Sequence, residues 1–299
     1  SAVLPDTASL AAADWLQDGG ILEGDDWNGQ WLHWSDPAQD PNDRVPPQVW
    51  EAIQRARGRQ GAPPAYYAVL AMAGDELGRW LQGAKNGPVG AALHPKLRGY
   101  FEALPGARAG LAAPRPVGPA LHAAISEALA NFALHVAPAI VADHSGCLIY
   151  SGGDDLLALI PAQRAVGCAR ALRLAYSGAS TEAEATPPGY VRRNGREWLV
   201  MGPSATLSAG LAIVHHKEDH RLALQLAREA EKRAKSAGRD RVSLCVSRRS
   251  GERAEVVVRW DFLSRFEGWV QMFSDPSCTD RWAYHLRALH PTLEGLPSE

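Results

Sequence analysis

The feature that most constrains this chain is a pair of adjacent acids on a glycine turn between two apolar runs. It lies in the stretch Leu148-Ile-Tyr-Ser-Gly-Gly-Asp-Asp-Leu-Leu-Ala-Leu-Ile160. Each run is short and rich in Leu, Ile and Tyr, and Gly152 and Gly153 supply the positive φ angles that a tight hairpin turn needs. The pattern predicts a β-hairpin with Asp154 and Asp155 at its tip.

Two neighbouring carboxylates form a natural site for a divalent cation. At a separation of about 4 Å they repel each other by roughly 4 kcal/mol when the effective dielectric constant is about 20. A bound cation cancels this repulsion, and Mg²⁺ prefers oxygen ligands and keeps several waters or phosphate oxygens. Asp154 and Asp155 are therefore candidate ligands for Mg²⁺ or Mn²⁺. The competing interpretation is a plain surface turn, because Gly and Asp are both common turn residues.

The order of the predicted elements brings a third acid toward this turn. Apolar patterning predicts a strand from Tyr66, a helix over 120–142, the hairpin, a helix over 161–176, a strand over 206–214, a helix that Gly238 ends and a strand over 242–246. This order is typical of the α+β, ferredoxin-like βαββαβ unit, in which the first strand lies beside the hairpin. Asp75 at the end of that strand then falls near Asp154 and Asp155, so it is a candidate metal ligand.

We divide the chain into three parts. Residues 1–64 are an acidic, tryptophan-rich and partly helical linker, whose tryptophans we expect to cover an apolar face of a neighbouring domain. Residues 65–255 form the α+β domain, with a long proline-rich loop after its first helix. Residues 256–299 begin a separate helical domain.

Composition narrows the class of protein. The net charge is −2, which excludes a globally basic nucleic-acid binder, although residues 228–253 carry nine basic side chains against four acids. The four cysteines form no CxxC pair, so neither a zinc knuckle nor a disulfide framework is indicated. We find no apolar run of about 20 residues and no signal peptide, and we expect a cytoplasmic protein without a membrane span.

Three segments resemble one known family. They are residues 66–81, with Ala73-Gly-Asp75 and a following Leu-Gly-Arg-Trp; residues 131–161, with the Ser151-Gly-Gly-Asp-Asp155 turn; and residues 208–217 with the downstream Ala234-Lys-Ser-Ala-Gly-Arg-Asp240 and Arg249-Ser-Gly251. In this order they are similar to the second palm domain of the large subunit of type III CRISPR effector complexes, whose fold is like that of GGDEF proteins and adenylyl cyclases.

The resemblance implies a nucleotidyltransferase that makes cyclic oligoadenylate from ATP with Mg²⁺ when its complex binds target RNA. It assigns Asp154 and Asp155 to catalysis and metal binding, and Ser151, Gly152, Gly153, Lys235 and Arg239 to nucleotide binding. The implied partners are the other subunits, guide RNA and target RNA. Because the family's site lies between two palms, a second palm in trans or a homodimer is also implied.

Two departures keep alternatives open. The family's first strand ends in Asp-Gly-Asp, whereas Ala73 replaces the first acid here, which favours a weakened or inactive scaffold subunit that contacts RNA and other subunits. The family's nuclease domain carries a His-Asp pair, and no His is followed by Asp in this sequence, so we expect no nuclease activity of that type.

A third interpretation is a cyclic dinucleotide synthase of the Gly-Gly-Asp-Glu-Phe type, in which Asp155 and Leu156 would replace Glu and Phe.

Overall fold

The computed structural model describes residues 6–24, 26–179 and 187–275, and positions 278, 279, 281, 284, 285, 288 and 289. The chain falls into two compact units, Ser1–Val257 and Val258–Glu299, and each is described by itself. Our three-part division at residues 64 and 255 stays a prediction.

The described residues form strands and helices with the following bounds. The strands are β1 (Tyr66–Gly74), β2 (Cys147–Gly152), β3 (Asp155–Pro161), β4 (Tyr190–Arg193), β5 (Arg196–Leu199), β6 (Leu207–His215), β7 (Arg241–Ser247) and β8 (Arg253–Arg259). The α-helices are α1 (Thr7–Ala11), α2 (Ala13–Gly19), α3 (Pro47–Gln60), α4 (Leu77–Leu81), α5 (Pro95–Glu102), α6 (Ala107–Ala112), α7 (Pro119–Asn131), α8 (Ala137–Asp143), α9 (Ala162–Tyr176), α10 (His220–Ser236) and α11 (Leu263–Ser274).

Six strands form one mixed sheet in the order β2-β3-β1-β6-β7-β8. β1 is antiparallel to both β3 and β6, whereas β6 and β7 are parallel. The α+β prediction is confirmed, and β1 lies between the hairpin strand β3 and β6 as expected. The end of β1 therefore lies beside the tip of the β2–β3 hairpin.

One face of the sheet is covered by α10. Its small apolar side chains pack with Tyr67, Val69 and Ala71 of β1 in a buried cluster. A side chain at Gly210 of β6 would come within 2.1 Å of the Ala227 carbonyl oxygen, so only glycine allows the helix to lie this close. This packing fixes the position of the helix whose last turn carries Lys235.

The other face is covered by α9 and by a long helical run. The ring of Phe132 meets that of Tyr176 edge to face, with centroids 5.1 Å apart. The run continues from α7 through a π-helical turn, Phe132–Val136, into α8. Contrary to the expectation from the sequence, Pro119–Asp143 is long and apolar enough to cross a membrane by length and composition, and 44% of its most apolar window is buried inside the protein.

The amino-terminal tryptophans form a core of their own. Trp15, Trp31 and Trp34 are buried with Leu32 and Ile53, and Trp27 and Trp50 pack against this cluster. The expectation that these rings cover a neighbouring domain's face was therefore wrong for most of them. Separately, Leu10 of α1 joins the cluster that includes Tyr67 and Val69, and this contact attaches the segment to the sheet.

Three other expectations about local structure need correction. The proline-rich loop after α4 contains two helices, α5 and α6. Its prolines and glycines lie where these helices begin and in the segments that connect them. The segment 177–204, which is rich in Gly, Pro, Thr and Glu and for which the sequence predicted no strand, contains the β4–β5 hairpin, although its residues 180–186 lie outside the described part. The sheet also continues into β8, whose Val256-Val-Val258 run we did not assign.

The second unit begins at Val258 and contains α11. The ring of Phe262 meets that of Trp269 edge to face, with centroids 5.4 Å apart.

Candidate active site at the hairpin tip

The acid pair lies on a two-residue turn between β2 and β3. Gly152 pairs with Asp155, so Gly153 and Asp154 form the loop itself. Gly153 has a φ of 66° and Asp154 has no positive φ, which is the pattern of a type II′ hairpin turn. The prediction of positive φ angles is therefore confirmed for Gly153 and wrong for Gly152.

Gly152 is required for a different reason. A side chain at this position would come within 2.0 Å of the Tyr150 hydroxyl, because that ring lies over the strand end. Glycine here makes room for a neighbouring ring, so its role in close approach of a phosphate remains a prediction.

The turn is held against the end of β1. The amide of Gly74 donates a hydrogen bond of 3.0 Å to the carbonyl oxygen of Asp154. A side chain at Gly74 would come within 2.7 Å of Asp154 Cβ and 2.9 Å of the Tyr176 hydroxyl. Both groups therefore lie directly over the strand end, and the contact between distant segments that the topology predicted is present.

Burial and mutual repulsion change the electrostatics of the pair. Burial raises the pKa of Asp154 above its ordinary value, and the neighbouring Asp155 raises it further. The ammonium group of Lys235 opposes this effect, which places its positive charge within electrostatic reach of the turn. Burial also raises the pKa of Tyr176 well above its usual range, with Asp154 and Asp75 adding to the shift. The turn therefore brings negative charges close together, and a bound cation would reduce the repulsion between them.

Asp75 directly follows Gly74, whose amide is hydrogen-bonded to the turn, but the carboxylate of Asp75 accepts hydrogen bonds from other elements. Only 5% of the residue is exposed. Thr206 Oγ1 and the Asp240 amide donate to Oδ2 at 2.7 and 3.0 Å, and Ser208 Oγ donates to Oδ1 at 2.7 Å. Both oxygens thus accept hydrogen bonds from protein groups, and the structure does not present Asp75 as an open ligand beside the acid pair.

Ala73 occupies the position where the resembling family has an acid. It pairs with Asp155 on β3 and with Ser208 on β6, and 4% of it is exposed. Directly opposed residues of an antiparallel pair carry their Cβ atoms about 4.5–5.5 Å apart on the same face. A carboxylate at this position would stand next to that of Asp155.

The two predicted phosphate-binding cations lie at the end of α10. Lys235 forms an ion pair of 2.8 Å with Glu231, and 33% of its side chain is exposed. Arg239 is exposed on the turn that leads to β7 and has a φ of 60°. The charge of Lys235 thus acts on Asp154, whereas Arg239 lies on the turn that follows the helix.

The donor set at the hairpin tip suits a magnesium nucleotide. Within the described part of the chain, no group of three or more His, Cys, Asp or Glu side chains is arranged to hold a metal ion. Two carboxylates nevertheless fit Mg²⁺, which usually completes its shell with waters and phosphate oxygens. The Ser151 hydroxyl, just before the turn, is buried without a hydrogen-bond partner in the structure, so it is an uncommitted donor.

A cavity of about 310 Å³ opens between the end of α4, with the segment that follows it, and the chain before β6. Its lining includes Trp80, Lys85, Arg115 and Ser204. Ser204 is two residues from Thr206, whose carbonyl oxygen accepts a hydrogen bond of 2.9 Å from the Asp75 amide. The lining therefore combines an aromatic ring with two cationic groups, and Ser204 links it along the chain to the residue that binds the Asp75 amide.

Sequence reasoning missed the residues that surround the acids. Tyr176 was assigned only to the end of a helix, and Thr206, Ser208 and Asp240 to strands and a turn. A Ser and a Thr near a strand start are a weak signal in the sequence, and it is the tertiary structure that brings both hydroxyls to Asp75. Arg173, whose Nε donates to Asp240 at 2.6 Å, gave no signal in the sequence.

Comparisons with known proteins agree with this geometry. The family model described as the second palm domain of Cas10/Cmr2 matches residues 66–243. The CRISPR system Cmr subunit Cmr2 of Pyrococcus furiosus is 34% identical over 221 residues, which is 73% of this chain and 23% of that protein. The corresponding subunit of Saccharolobus solfataricus is 43% identical over 65 residues, which is 22% of this chain and 6% of that protein. The chain thus spans less than a quarter of the length of these relatives.

Solved structures show the same fold. A chain of the type III-B Cmr-beta complex in its apo state matches with a TM-score of 0.63 at 15% identity, covering 99% of this chain and 41% of that chain. A chain of Cmr-beta bound to cognate target RNA matches with a TM-score of 0.53 at 18% identity, covering 85% of this chain and 34% of that chain. From the family match and the identity to the Pyrococcus protein, this chain belongs to the Cas10/Cmr2 family and contains its second palm domain.

Proposed function

We propose that this chain is the palm nucleotidyltransferase module of a type III CRISPR effector complex, and that it makes cyclic oligoadenylate from ATP. The observation that carries the proposal is the acid pair Asp154 and Asp155 on a hairpin tip that is hydrogen-bonded to the end of β1. The electrostatic effect of Lys235 on Asp154 supports it.

The residues have distinct roles in this proposal. Asp154 and Asp155 supply oxygen ligands for Mg²⁺ or Mn²⁺, and Ser151 with the Gly152-Gly153 backbone approaches the phosphates. Lys235 and Arg239 neutralise triphosphate charge, the arginine by paired hydrogen bonds. When bound, the metal would acidify the attacking 3′-hydroxyl and hold the triphosphate.

The cavity beside α4 is our candidate for the adenine base. The indole of Trp80 offers a flat surface for stacking, which contributes about 1–3 kcal/mol per base in single-stranded complexes. Lys85 is held by an ion pair with Glu76, whose pKa is lowered to about 2 by Lys85 first and Arg79 second. The lysine therefore stays near the cavity as a fixed positive charge.

The proposed setting is a cytoplasmic effector complex. The relatives are named as subunits of Cmr complexes, and one matched structure is bound to target RNA. We propose that this chain likewise works with other subunits, guide RNA and target RNA, and with a second palm in trans or a second copy of itself. The basic stretch 228–253 is a candidate contact for RNA.

Incubation with radiolabelled ATP and Mn²⁺ tests this function. Products resolved by size should include cyclic oligoadenylate for the chain in complex with its partner palm, and the Asp154→Asn, Asp155→Asn double variant should lose them. A parallel incubation with labelled GTP distinguishes cyclic oligoadenylate synthesis from cyclic dinucleotide synthesis. Equal product from the wild-type chain and the double variant would contradict the proposal.

A specific observation supports the alternative of an inactive scaffold. Ala73 is buried opposite Asp155, so the site offers one carboxylate fewer than the family pattern implies. A scaffold would bind RNA and other subunits without turnover. Product formation by the wild-type chain excludes this alternative, whereas product only from Ala73→Asp would favour it.

A further inference from the structure

The turn between α10 and β7 is held in a strained conformation. Gly238, Arg239 and Asp240 have φ angles of 120°, 60° and 48°. The last two are not glycines, and the left-handed conformation is unfavourable for residues that carry a Cβ atom. Consecutive strained residues persist only where their surroundings fix them.

Asp75 and Arg173 fix this turn from two other elements. The Asp240 amide donates to Asp75 Oδ2 at 3.0 Å, and Arg173 Nε of α9 donates to Asp240 Oδ1 at 2.6 Å. Only 12% of the arginine side chain is exposed, so this ion pair is shielded from solvent on one side. The hydroxyls of Thr206 and Ser208 complete the set of donors around Asp75.

The turn carries the groups proposed to bind the triphosphate. Arg239 lies within it and immediately precedes Asp240. Lys235 is in the last turn of α10, where the Arg239 amide donates to the Ala234 carbonyl at 3.2 Å. Any shift of the turn therefore moves the guanidinium of Arg239 and loosens the helix end that carries Lys235.

We infer that Asp75 and Asp240 are positioning residues that hold Arg239 and Lys235 toward a bound triphosphate, and that Asp75 is not a metal ligand. This rests on the proposed function. It replaces our assignment of Asp75 from the sequence, because its oxygens already accept three hydrogen bonds from protein groups. Asp154 and Asp155 are then the proposed metal ligands.

Paired substitutions at Asp75 separate the two roles. In Asp75→Asn the amide oxygen can take the place of Oδ2 and still accept from the Asp240 amide and the Thr206 hydroxyl, while the Ser208 hydroxyl rotates to accept from the new NH₂ group. In Asp75→Ala all three hydrogen bonds to the carboxylate are lost. The wild-type chain and both variants are titrated calorimetrically, first with Mn²⁺ alone and then with a non-hydrolysable ATP analogue at saturating Mn²⁺.

A positioning role predicts that Mn²⁺ affinity changes by less than about threefold in both variants. The affinity for the ATP analogue should fall by about tenfold or more in Asp75→Ala and be largely restored in Asp75→Asn. Equal, large losses of Mn²⁺ affinity in both variants would identify a metal ligand and overturn the inference. Unchanged analogue affinity in Asp75→Ala would also overturn it.

A second variant covers the case in which Asp75→Ala does not fold. Asp240→Ala removes the acceptor of Arg173 from a side chain that is 47% exposed, so the core stays intact. It should weaken analogue binding severalfold and speed amide hydrogen exchange in the turn, and no change in either would count against the inference. Asp143→Ala, which breaks the exposed ion pair with Arg193, is the matched control and should behave as wild type.

The outcome also distinguishes this inference from the proposed function. A wild-type chain that binds neither Mn²⁺ nor the analogue overturns both. A wild-type chain that binds them, with Asp75→Ala unaffected, overturns only the positioning role.

Discussion

At the scale of single residues, Ala73 sets how much negative charge the site can offer a cation. It stands opposite Asp155, so Ala73→Asp places a third carboxylate beside the hairpin tip. We expect this variant to bind Mn²⁺ at least about tenfold more tightly than wild type, as measured by isothermal titration calorimetry. Without metal it should be less stable by about 1–3 kcal/mol, because the added charge is buried next to like charges.

Ala73→Asn is the matched control, since it adds similar volume without the charge. It should leave Mn²⁺ affinity near the wild-type value. No gain of Mn²⁺ affinity in Ala73→Asp would refute the view that the missing acid weakens this site.

Gly74 is the second residue on which the site depends. Gly74→Ala would force its Cβ against Asp154 and the Tyr176 hydroxyl, at separations under 3 Å. We expect a loss of about 1–3 kcal/mol in the free energy of unfolding, measured by urea denaturation, because both neighbours are held in place. Gly78→Ala in α4 meets no atom within 4 Å and should be neutral or stabilising. Similar losses in both variants would contradict the crowding seen at Gly74.

At the scale of elements, the central pairing followed from the sequence. Short apolar runs on either side of the glycine turn predicted the hairpin, and the helix and strand order placed β1 beside it. Asp154 and Asp155 were found because adjacent acids on a turn are a local signal. Their contact with Gly74 followed from topology alone.

The other features of the site and of the fold depend on tertiary contacts, which leave no local pattern in the sequence. Asp75 has the same sequence context whether it binds a metal or accepts from Ser208, and only the register of β1 with β6 decides. The tryptophans of residues 1–64 gave no hint of whether they cover another domain or one another. The edge strand β8 was missed because it lies beyond the family pattern and is mostly exposed.

The attachment of the amino-terminal segment to the sheet should be sensitive to acid. The rings of His33 and His216 stack with centroids 4.3 Å apart, beside His215, Lys217, Arg57 and Asp6. Burial first, and then the neighbouring His215, lowers the pKa of His33 to about 4. Burial first, and then His33, lowers the pKa of His216 to about 3.

Below pH 6.5 the unfolded chain therefore binds protons that the folded chain excludes. The contribution of neutral histidines to stability is complete above that pH and declines as the pH falls toward the folded pKa values. Each histidine should lower the free energy of unfolding by at most about 1.4 kcal/mol per pH unit. Chemical denaturation at pH 7, 6 and 5 measures the decline.

The double variant His33→Gln, His216→Gln should flatten this decline, and the exposed His122→Gln should leave it unchanged. A decline as steep in the double variant as in wild type would show that other groups cause the acid sensitivity.

At the scale of the whole molecule, the described part of the chain contains one palm domain, and the chain spans 23% of its Pyrococcus relative. If the active site forms between two palms, the chain needs a partner in trans or a second copy. Light scattering with size-exclusion chromatography should then show a dimer that ATP and Mn²⁺ stabilise. A monomer that makes product would contradict the need for a second palm.

In the proposed function, Asp154 and Asp155 would hold divalent metal at the tip of the β2–β3 hairpin, where it would bind the triphosphate of the nucleotide. A crystal structure with Mn²⁺ and a non-hydrolysable ATP analogue, with data collected at the manganese absorption edge, tests this most directly. We predict an anomalous peak within coordination distance of Asp154 and Asp155, with the triphosphate directed toward Lys235. A peak elsewhere, or a bound nucleotide whose phosphates avoid the hairpin tip, would contradict this arrangement.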